Sequence, residues 1–231
     1  MRLAALLMFP LVVSCAQAIR VPKSNAPPVV GTFEFGLNQR TKLFDFEVPE
    51  VKKGMQRSGT AKVSFASDVS AGATRQETPM TFGVLKEGRP FIALECLGVQ
   101  QGVVVKTGSP VPTDKTLHTY GCTGTDFQLV VEEPKKDVFV GRASFAGLEL
   151  TLQGTDEMEQ GLPQYPSGFH VMKGAQWLGS FEYLQGGKAY LRADLRGAER
   201  DAVVLVMVAV QATDRWLAKN SSQNQARPFG M

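Results

Sequence analysis

The sequence predicts a mainly β protein: an antiparallel β-barrel or β-sandwich with one buried apolar helix near the C-terminus. Between Thr32 and Gln153 apolar and polar residues alternate in short runs, the period of half-buried strands. Turn-forming residues separate these runs, with no helical stretch between them. Residues Ala202–Val210 are apolar without interruption. The 231 residues, 43% hydrophobic and 20% charged, suit one folded domain and exclude a disordered or low-complexity chain.

The first 14 residues are typical of a secretory signal peptide. Arg2 precedes an apolar run from Leu3 to Val13, and small residues follow. This run is too short for a permanent membrane-spanning helix, which needs about 20 residues. We therefore predict that the protein is exported.

Two cleavage sites follow the apolar run. The segment Val12–Cys15 resembles the bacterial lipobox, in which the cysteine receives acyl chains such as palmitate and becomes the first residue. The segment Ala16–Ala18 instead fits a small-x-small site, after which the mature chain begins at Ile19. We favour the lipobox, which predicts a lipoprotein of the bacterial cell envelope. Ala16 after the cysteine favours the outer membrane, facing the periplasm or the surface, where the cell has one.

The cysteine count supports the lipobox. The chain has three cysteines, Cys15, Cys96 and Cys122, and an odd cysteine in an exported protein needs an explanation. Lipidation of Cys15 leaves Cys96 and Cys122 to form a disulfide in an oxidising compartment, closing a loop of about 26 residues. Two buried free thiols are the alternative. Neither cysteine lies in a CxxC pair, so no metal site is predicted.

The predicted organisation has four parts. The signal peptide covers residues 1–14, and a lipidated cysteine with a Pro-rich tether covers residues 15–31. Such a tether is extended and semi-rigid, and it would hold the domain clear of the membrane. A single β-rich domain covers residues 32–218. Residues 219–231 form a polar, flexible tail.

Candidate strands fill most of the domain. They are centred on Phe33 and Phe35; Phe44, Phe46 and Val48; Val63 and Phe65; Met80, Phe82 and Val84; Phe91–Cys96; Val103–Lys106; Leu117–Cys122; Phe127–Val131; Val138–Val140; and Phe145–Leu152. The intervening segments KKGMQRSG, SAGAT, KEGRP, TGSPVPTD and EEPKKD are predicted turns. Short strands at this spacing favour an antiparallel sandwich or barrel.

A connector and a hairpin follow. Residues 154–168 contain Asp156, Glu157 and Glu159, but their spacing is not that of a calcium loop, so we interpret them as a solvated acidic loop. Next, Gln176–Leu184 and Lys188–Leu195 flank Gly186-Gly187, a dipeptide that suits a two-residue hairpin link.

The last element is Ala198–Ala218. Glu199 and Asp201 lie early, as a helix N-terminus prefers. As a helix the segment would be buried on every side; as a strand, with its many valines, it would be central in a sheet. We favour the helix because its ends are charged and the run continues to Trp216. It is too short and too charged at its ends to span a bilayer.

The hairpin Trp177–Leu195 followed by Ala198–Ala212 is similar to the tubby C-terminal domain and to phospholipid scramblases. The resemblance covers about Thr32–Trp216 in layout and implies a closed β-barrel plugged by a central apolar helix. It carries over no functional residues, because no phosphoinositide-binding Lys/Arg pair, calcium motif or palmitoylation cluster matches. The alternative is an unrelated β-sandwich with a helix across one face. A plugged barrel would place function on loops or the outer surface.

The sequence contains few motifs that carry chemistry. A net charge of +3 without a dense basic block argues against nucleic-acid binding. His118 and His170 lie outside any HExxH pattern, and neither a GxSxG elbow nor a phosphate loop occurs. We predict no catalytic residue, metal or cofactor. Tyr165 and Trp177, beside Gly and Pro residues, are the candidates for an exposed ligand-binding surface.

These observations predict a membrane-anchored exported lipoprotein whose β-rich domain binds a protein, a lipid or an envelope polymer without catalysis. One alternative is an exported hydrolase with dispersed catalytic carboxylates, which leave no sequence motif. The other is a lipid-handling protein like the scramblases and tubby, which rests on fold analogy.

Overall fold

The structure is a computed structural model that describes residues 19–23, 26–66, 69–106, 115–135, 138–155, 168–182 and 187–225. The fold is mainly β and antiparallel, with a C-terminal helix, as predicted. Cys15, Tyr165 and the predicted acidic loop with Asp156, Glu157 and Glu159 lie outside the described residues.

In the described part of the chain, fifteen strands form one sheet. They are β1 (Val29–Thr32), β2 (Glu34–Phe35), β3 (Thr41–Leu43), β4 (Phe46–Val48), β5 (Lys52–Lys53), β6 (Arg57–Ala66), β7 (Val69–Lys86), β8 (Arg89–Lys106), β9 (Lys115–Gly124), β10 (Phe127–Lys135), β11 (Val138–Phe145), β12 (Leu148–Thr155), β13 (Gly168–Lys173), β14 (Gln176–Glu182) and β15 (Lys188–Leu191). A 3-10 helix spans Leu37–Gln39, and the helix α1 spans Gly197–Gln225.

The sheet closes on itself through its first two strands. The strand order runs from β1 at one edge to β2 at the other, yet only Phe33 separates these strands along the chain. β1 pairs with β15, whereas β2 pairs with β3. The backbone N–H of Phe33 donates to the carbonyl of Gly187 at 3.0 Å. One short segment thus borders both edges, and the result is a nearly closed barrel rather than the alternative sandwich.

The helix α1 fills the barrel. Every residue of Ala202–Val210 is 0% exposed. The helix contacts β3, β4, β8, β11 and β14, which lie at separate positions around the sheet. The prediction of a helix buried on every side is therefore confirmed, and the central strand is not formed. Each fully buried Val or Leu contributes about 1.5–3 kcal/mol relative to an exposed side chain. The helix continues to Gln225, past its predicted end at Ala218.

Glycine at two positions permits α1 to begin and to pack closely inside the barrel. A Cβ at Gly179 of β14 would lie 2.6 Å from Cε of Met207 on the helix and 2.8 Å from the carbonyl oxygen of Tyr190. The helix therefore approaches the sheet more closely here than a side chain would permit. Gly197 begins the helix with a φ of +54°, which glycine adopts without strain.

The predicted disulfide is present inside the barrel. Cys96 of β8 and Cys122 of β9 are direct cross-strand partners and form the bond, so the free-thiol alternative is excluded. Both residues are at most 4% exposed, and Sγ of Cys122 lies 3.5 Å from Oγ1 of Thr213 on α1. In the chain-entropy account such a bond contributes about 3 kcal/mol.

The hairpin β14–β15 forms, and Phe181 of β14 pairs with Ala189 of β15. The link predicted at Gly186-Gly187 falls partly on residues 183–186, which lie outside the described residues. The carbonyl of Gly187 accepts the hydrogen bond from Phe33 that closes the barrel.

Some local predictions were wrong. Phe44, predicted in a strand, has a φ of +53° and forms the turn between β3 and β4. The predicted strand Phe145–Leu152 is interrupted by a turn at Ala146-Gly147, where both φ values are positive. The predicted turn at residues 70–74 lies inside β7, because pairing with β8 along the whole strand outweighs the local preference of its small residues.

Candidate functional site

The N-terminal segment is fixed to the barrel at Ile19. Ile19 is 1% exposed and packs with Trp177 and Tyr190, and Val21 and Met172 extend this small apolar cluster. The prediction of a free tether is therefore wrong at this residue, since burial of its side chain holds it against β14 and β15.

Trp177 was predicted to be exposed, and this is wrong, because only 8% of it is exposed. Its indole N–H donates to Oγ of Ser180 at 2.8 Å, and that oxygen lies 2.7 Å from Nδ1 of His170. A buried tryptophan needs such a partner for its donor. The contacts fix the indole ring of Trp177 and join it through Ser180 to His170. Side-chain contacts of His118 lie outside the described part of the chain.

Trp177 nevertheless borders an open groove of about 610 Å³ on the outside of the barrel. Three segments that are distant in sequence meet there: the N-terminal segment, the start of β14, and the turn that precedes α1. The lining residues are Lys23, Ala26, Gln176, Trp177, Arg192, Ala193, Asp194 and Arg196.

One cation of the groove is neutralised. Nε of Arg192 donates to Oδ1 of Asp194 at 2.5 Å, and this hydrogen bond lowers the pKa of the Asp194 carboxyl from its ordinary value. The same guanidinium lies 3.9 Å from Glu199 and donates to the carbonyl of Trp177 at 3.4 Å. Arg192 thus joins the turn to β14 and to the helix start, and it contributes little net charge to the groove.

Two other cations are not neutralised. Neither Lys23 nor Arg196 forms an ion pair with any carboxylate of the described residues. Nη1 of Arg196 donates to the carbonyls of Ala193 and Leu195 at 2.7 and 2.6 Å, which orients its guanidinium. The groove therefore combines an excess of positive charge with the small exposed edge of Trp177. Such a site suits a ligand that has an anionic group beside a less polar part.

Other depressions have a different character. One of about 760 Å³ lies on the outer face of β10–β12, beside Val130 and Val140, which are 44% and 42% exposed. Its charged residues are of both signs: Glu132, Glu149 and Arg142. The groove beside Trp177 differs because its positive charge is in excess.

Two carboxylates, Asp45 of the β3–β4 turn and Asp201 near the start of α1, are relevant to the hydrolase alternative. Asp45 accepts hydrogen bonds from both terminal nitrogens of Arg200, at 2.6 and 3.2 Å, while Asp201 pairs with Lys86 at 2.5 Å. Partial burial is the largest single influence on the pKa of Asp45 and raises it. The hydrogen bonds from Arg200, a backbone hydrogen bond and the charges of Arg200 and Lys86 together lower it by more, so the net pKa is below its ordinary value. A glycoside hydrolase needs one carboxyl with a raised pKa as its acid, so Asp45 does not suit that role. These residues instead join the helix to the β3–β4 turn.

Sequence reasoning found Trp177 but missed Lys23 and Arg196. Both are isolated basic residues without a motif, and only the fold brings them to one groove. Within the described ranges no cluster of three or more His, Cys, Asp or Glu side chains could hold a metal ion. No helix among the described residues is long and apolar enough to cross a membrane.

Comparison with known proteins finds no matching family model, no matching curated protein and no matching solved structure. The relationship to tubby and scramblase domains therefore stays a prediction from the sequence.

Proposed function

We propose that this protein is an exported β-barrel domain of the cell envelope that acts by binding, and that the groove beside Trp177 takes an anionic envelope polymer. The observation that carries the proposal is the excess of positive charge at Lys23 and Arg196 beside the exposed edge of Trp177. The filled interior supports a ligand site on the outside, because α1 occupies the space that a barrel ligand would need.

The groove residues have complementary roles. Arg196 uses one terminal nitrogen to donate to two carbonyls, and its other N–H groups remain for a phosphate or carboxylate of the ligand. Lys23 adds a mobile point charge on the opposite segment. The exposed edge of the Trp177 side chain offers an apolar contact for a sugar ring or another weakly polar part of the polymer.

Export belongs to the proposal as well. The signal peptide and Cys15 lie in residues 1–18, outside the described residues, so the lipobox stays a prediction from the sequence. The binding role of the groove does not depend on which of the two cleavage sites is used.

The experiment measures binding of two soluble polyanions, a polyphosphate and a polygalacturonate, by calorimetry at low salt. We expect binding that weakens about tenfold in Lys23→Gln and in Arg196→Gln, since each loses a charge-assisted contact. The control Lys52→Gln, on the exposed strand β5, should bind as the unchanged protein does.

Three results would contradict this proposal. Equal binding by the groove variants and the control would place the ligand elsewhere. Binding to vesicles with anionic phospholipid, without binding to either polyanion, would favour the lipid-handling alternative. Turnover of a polymer that a single polar substitution abolishes would favour the hydrolase.

A further inference from the structure

A buried carboxylate lies beside the apolar cluster of the N-terminal segment. Glu182, the last residue of β14, is only 6% exposed. Its Oε2 accepts the backbone N–H of Lys188 at 2.8 Å, and its Oε1 accepts the hydroxyl of Tyr190 at 3.0 Å. The backbone nitrogen of Ile19 also lies 3.4 Å from Oε1, although 163 positions separate the two residues in the chain.

These three donors are all neutral in the uncleaved chain. No Lys, Arg or His side chain of the described residues forms an ion pair with Glu182. Charged side chains are almost never buried without an opposite charge. The buried carboxylate of Glu182 therefore has no opposite charge among the described residues, although burial makes such a partner necessary.

Ile19 is the residue that can supply this charge. It is 1% exposed, its nitrogen faces the carboxylate, and it directly follows the small-x-small site Ala16–Ala18. We infer that a signal peptidase cleaves the bond between Ala18 and Ile19, and that the α-ammonium of Ile19 becomes the counter-ion of Glu182. In this hydrolysis water adds across the amide. The Ala18 carboxylate leaves with the signal peptide, and the freed amine of Ile19 takes up a proton.

The distance between the Ile19 nitrogen and Oε1 of Glu182 agrees with an ion pair that forms only after cleavage. A backbone N–H···O bond is usually about 2.9–3.0 Å long, so 3.4 Å is a loose contact. An ammonium has three donors, and its charge-assisted bonds are about 2.7–2.9 Å long. Cleavage should therefore tighten the contact. Lipidation at Cys15 would instead leave the nitrogen of Ile19 as an amide.

The cysteine count is explained equally well by this cleavage. Cys15 leaves with the signal peptide, and the mature chain retains Cys96 and Cys122, which form the disulfide. The odd cysteine therefore no longer favours the lipobox, and the buried carboxylate of Glu182 favours the second cleavage site.

The first test is the intact mass and N-terminal sequence of the mature protein, produced from the full-length chain in a bacterial host. We expect a chain that begins at Ile19, carries one disulfide and has no acyl group. A chain that begins at an acylated Cys15, or at any residue other than Ile19, would overturn the inference.

The second test measures the coupling between the ammonium and the carboxylate. An alanine inserted between Ala18 and Ile19 displaces the ammonium by up to about 3.6 Å, and Glu182→Gln removes the opposite charge. We expect each change to lower Tm by about 10 °C, and their combination to lower it no further than the larger single effect.

Two controls isolate the charge. Tyr190→Phe removes only a neutral donor, and Glu149→Gln removes an exposed carboxylate of β12. Additive effects of the insertion and Glu182→Gln, or a Tm of Glu182→Gln equal to that of Glu149→Gln, would overturn the inference. If Glu182→Gln does not fold, the alanine insertion alone tests the inference. Its mass must then show that the mature chain begins with the added alanine, and an unchanged Tm in that chain would overturn the inference.

Discussion

Asp45 and Glu182 each join segments that are far apart in the chain, but they obtain their opposite charge in different ways. Asp45 binds Arg200, 155 positions away, within the same chain. Glu182 is more deeply buried, yet it meets only neutral donors until the peptide bond before Ile19 is cleaved. The helix corner, formed by Asp45 and Arg200, can therefore form before or after cleavage of the chain. The N-terminal corner, formed by Ile19, Glu182 and Tyr190, is completed only by cleavage before Ile19.

The two corners also differ in their access to water. The side chains of Asp45 and Arg200 are 22% and 28% exposed, so water screens their attraction. Ile19, Glu182 and Tyr190 are at most 8% exposed, and a charge placed there interacts more strongly with its partner. The same kind of change should therefore have a larger effect at the N-terminal corner.

The largest expected effect compares Glu182→Gln with Asp45→Asn in the mature protein. Glu182→Gln leaves a buried ammonium without its counter-ion and should lower the free energy of unfolding by about 3–5 kcal/mol. Asp45→Asn leaves a partly hydrated guanidinium and should cost about 1 kcal/mol. Urea unfolding followed by circular dichroism measures both. Equal decreases in the free energy of unfolding of Glu182→Gln and Asp45→Asn would contradict the expected difference between the two ion pairs.

The pH dependence of Asp45 is the next largest effect. Its pKa is lower in the folded state than in the unfolded state, where it is about 3.9. The stabilisation by its ionised form, about 1 kcal/mol, is present above pH 4 and is lost as the pH falls through the lower folded pKa. The free energies of unfolding of the unchanged protein and of Asp45→Asn should therefore converge as the pH falls below about 4 and through the folded pKa of Asp45. A constant difference over that range would contradict this assignment.

Tyr190→Phe should have a smaller effect than Glu182→Gln at the same corner. It removes one hydrogen bond to the carboxylate and leaves the charge pair in place, which costs on the order of 1 kcal/mol. Urea unfolding of the mature variant measures this cost. A loss as large as that of Glu182→Gln would show that the corner depends on hydrogen bonding in general rather than on charge.

The smallest expected effect is that of salt. Raising NaCl from about 0.05 to about 1 M shortens the Debye length from above 10 Å to about 3 Å, and it should reduce the cost of Asp45→Asn by about half a kcal/mol. The cost of Glu182→Gln should not change, because the buried pair is hardly screened. Paired unfolding curves at the two salt concentrations test this, and a parallel decrease in both variants would contradict it.

The sequence predicted the fold class because apolar and polar residues alternate between Thr32 and Gln153 and because Ala202–Val210 has no polar face. It did not predict where some strands end, since Phe44 and Ala146 adopt the positive φ values of turns although neither is a typical turn residue. The disulfide followed from the cysteine count. The helix was placed correctly, although its C-terminal boundary was not.

The candidate sites were less predictable. Trp177 was chosen as an exposed aromatic residue, whereas it borders the groove from a buried position. Lys23 and Arg196 converge only because the N-terminal segment folds back on β14. Glu182 lies in an apolar hairpin sequence, and nothing local in the sequence shows that its partner is Ile19. Both sites depend on contacts between residues that are more than 150 positions apart.

The most direct test of the central claim is a crystal structure of the mature protein purified after export. The account predicts that the chain begins at Ile19 and that its nitrogen lies less than about 3.0 Å from Oε1 of Glu182, the range of a charge-assisted bond. A chain that begins before Ile19, or an Ile19 nitrogen that turns away from Glu182 into solvent, would contradict it.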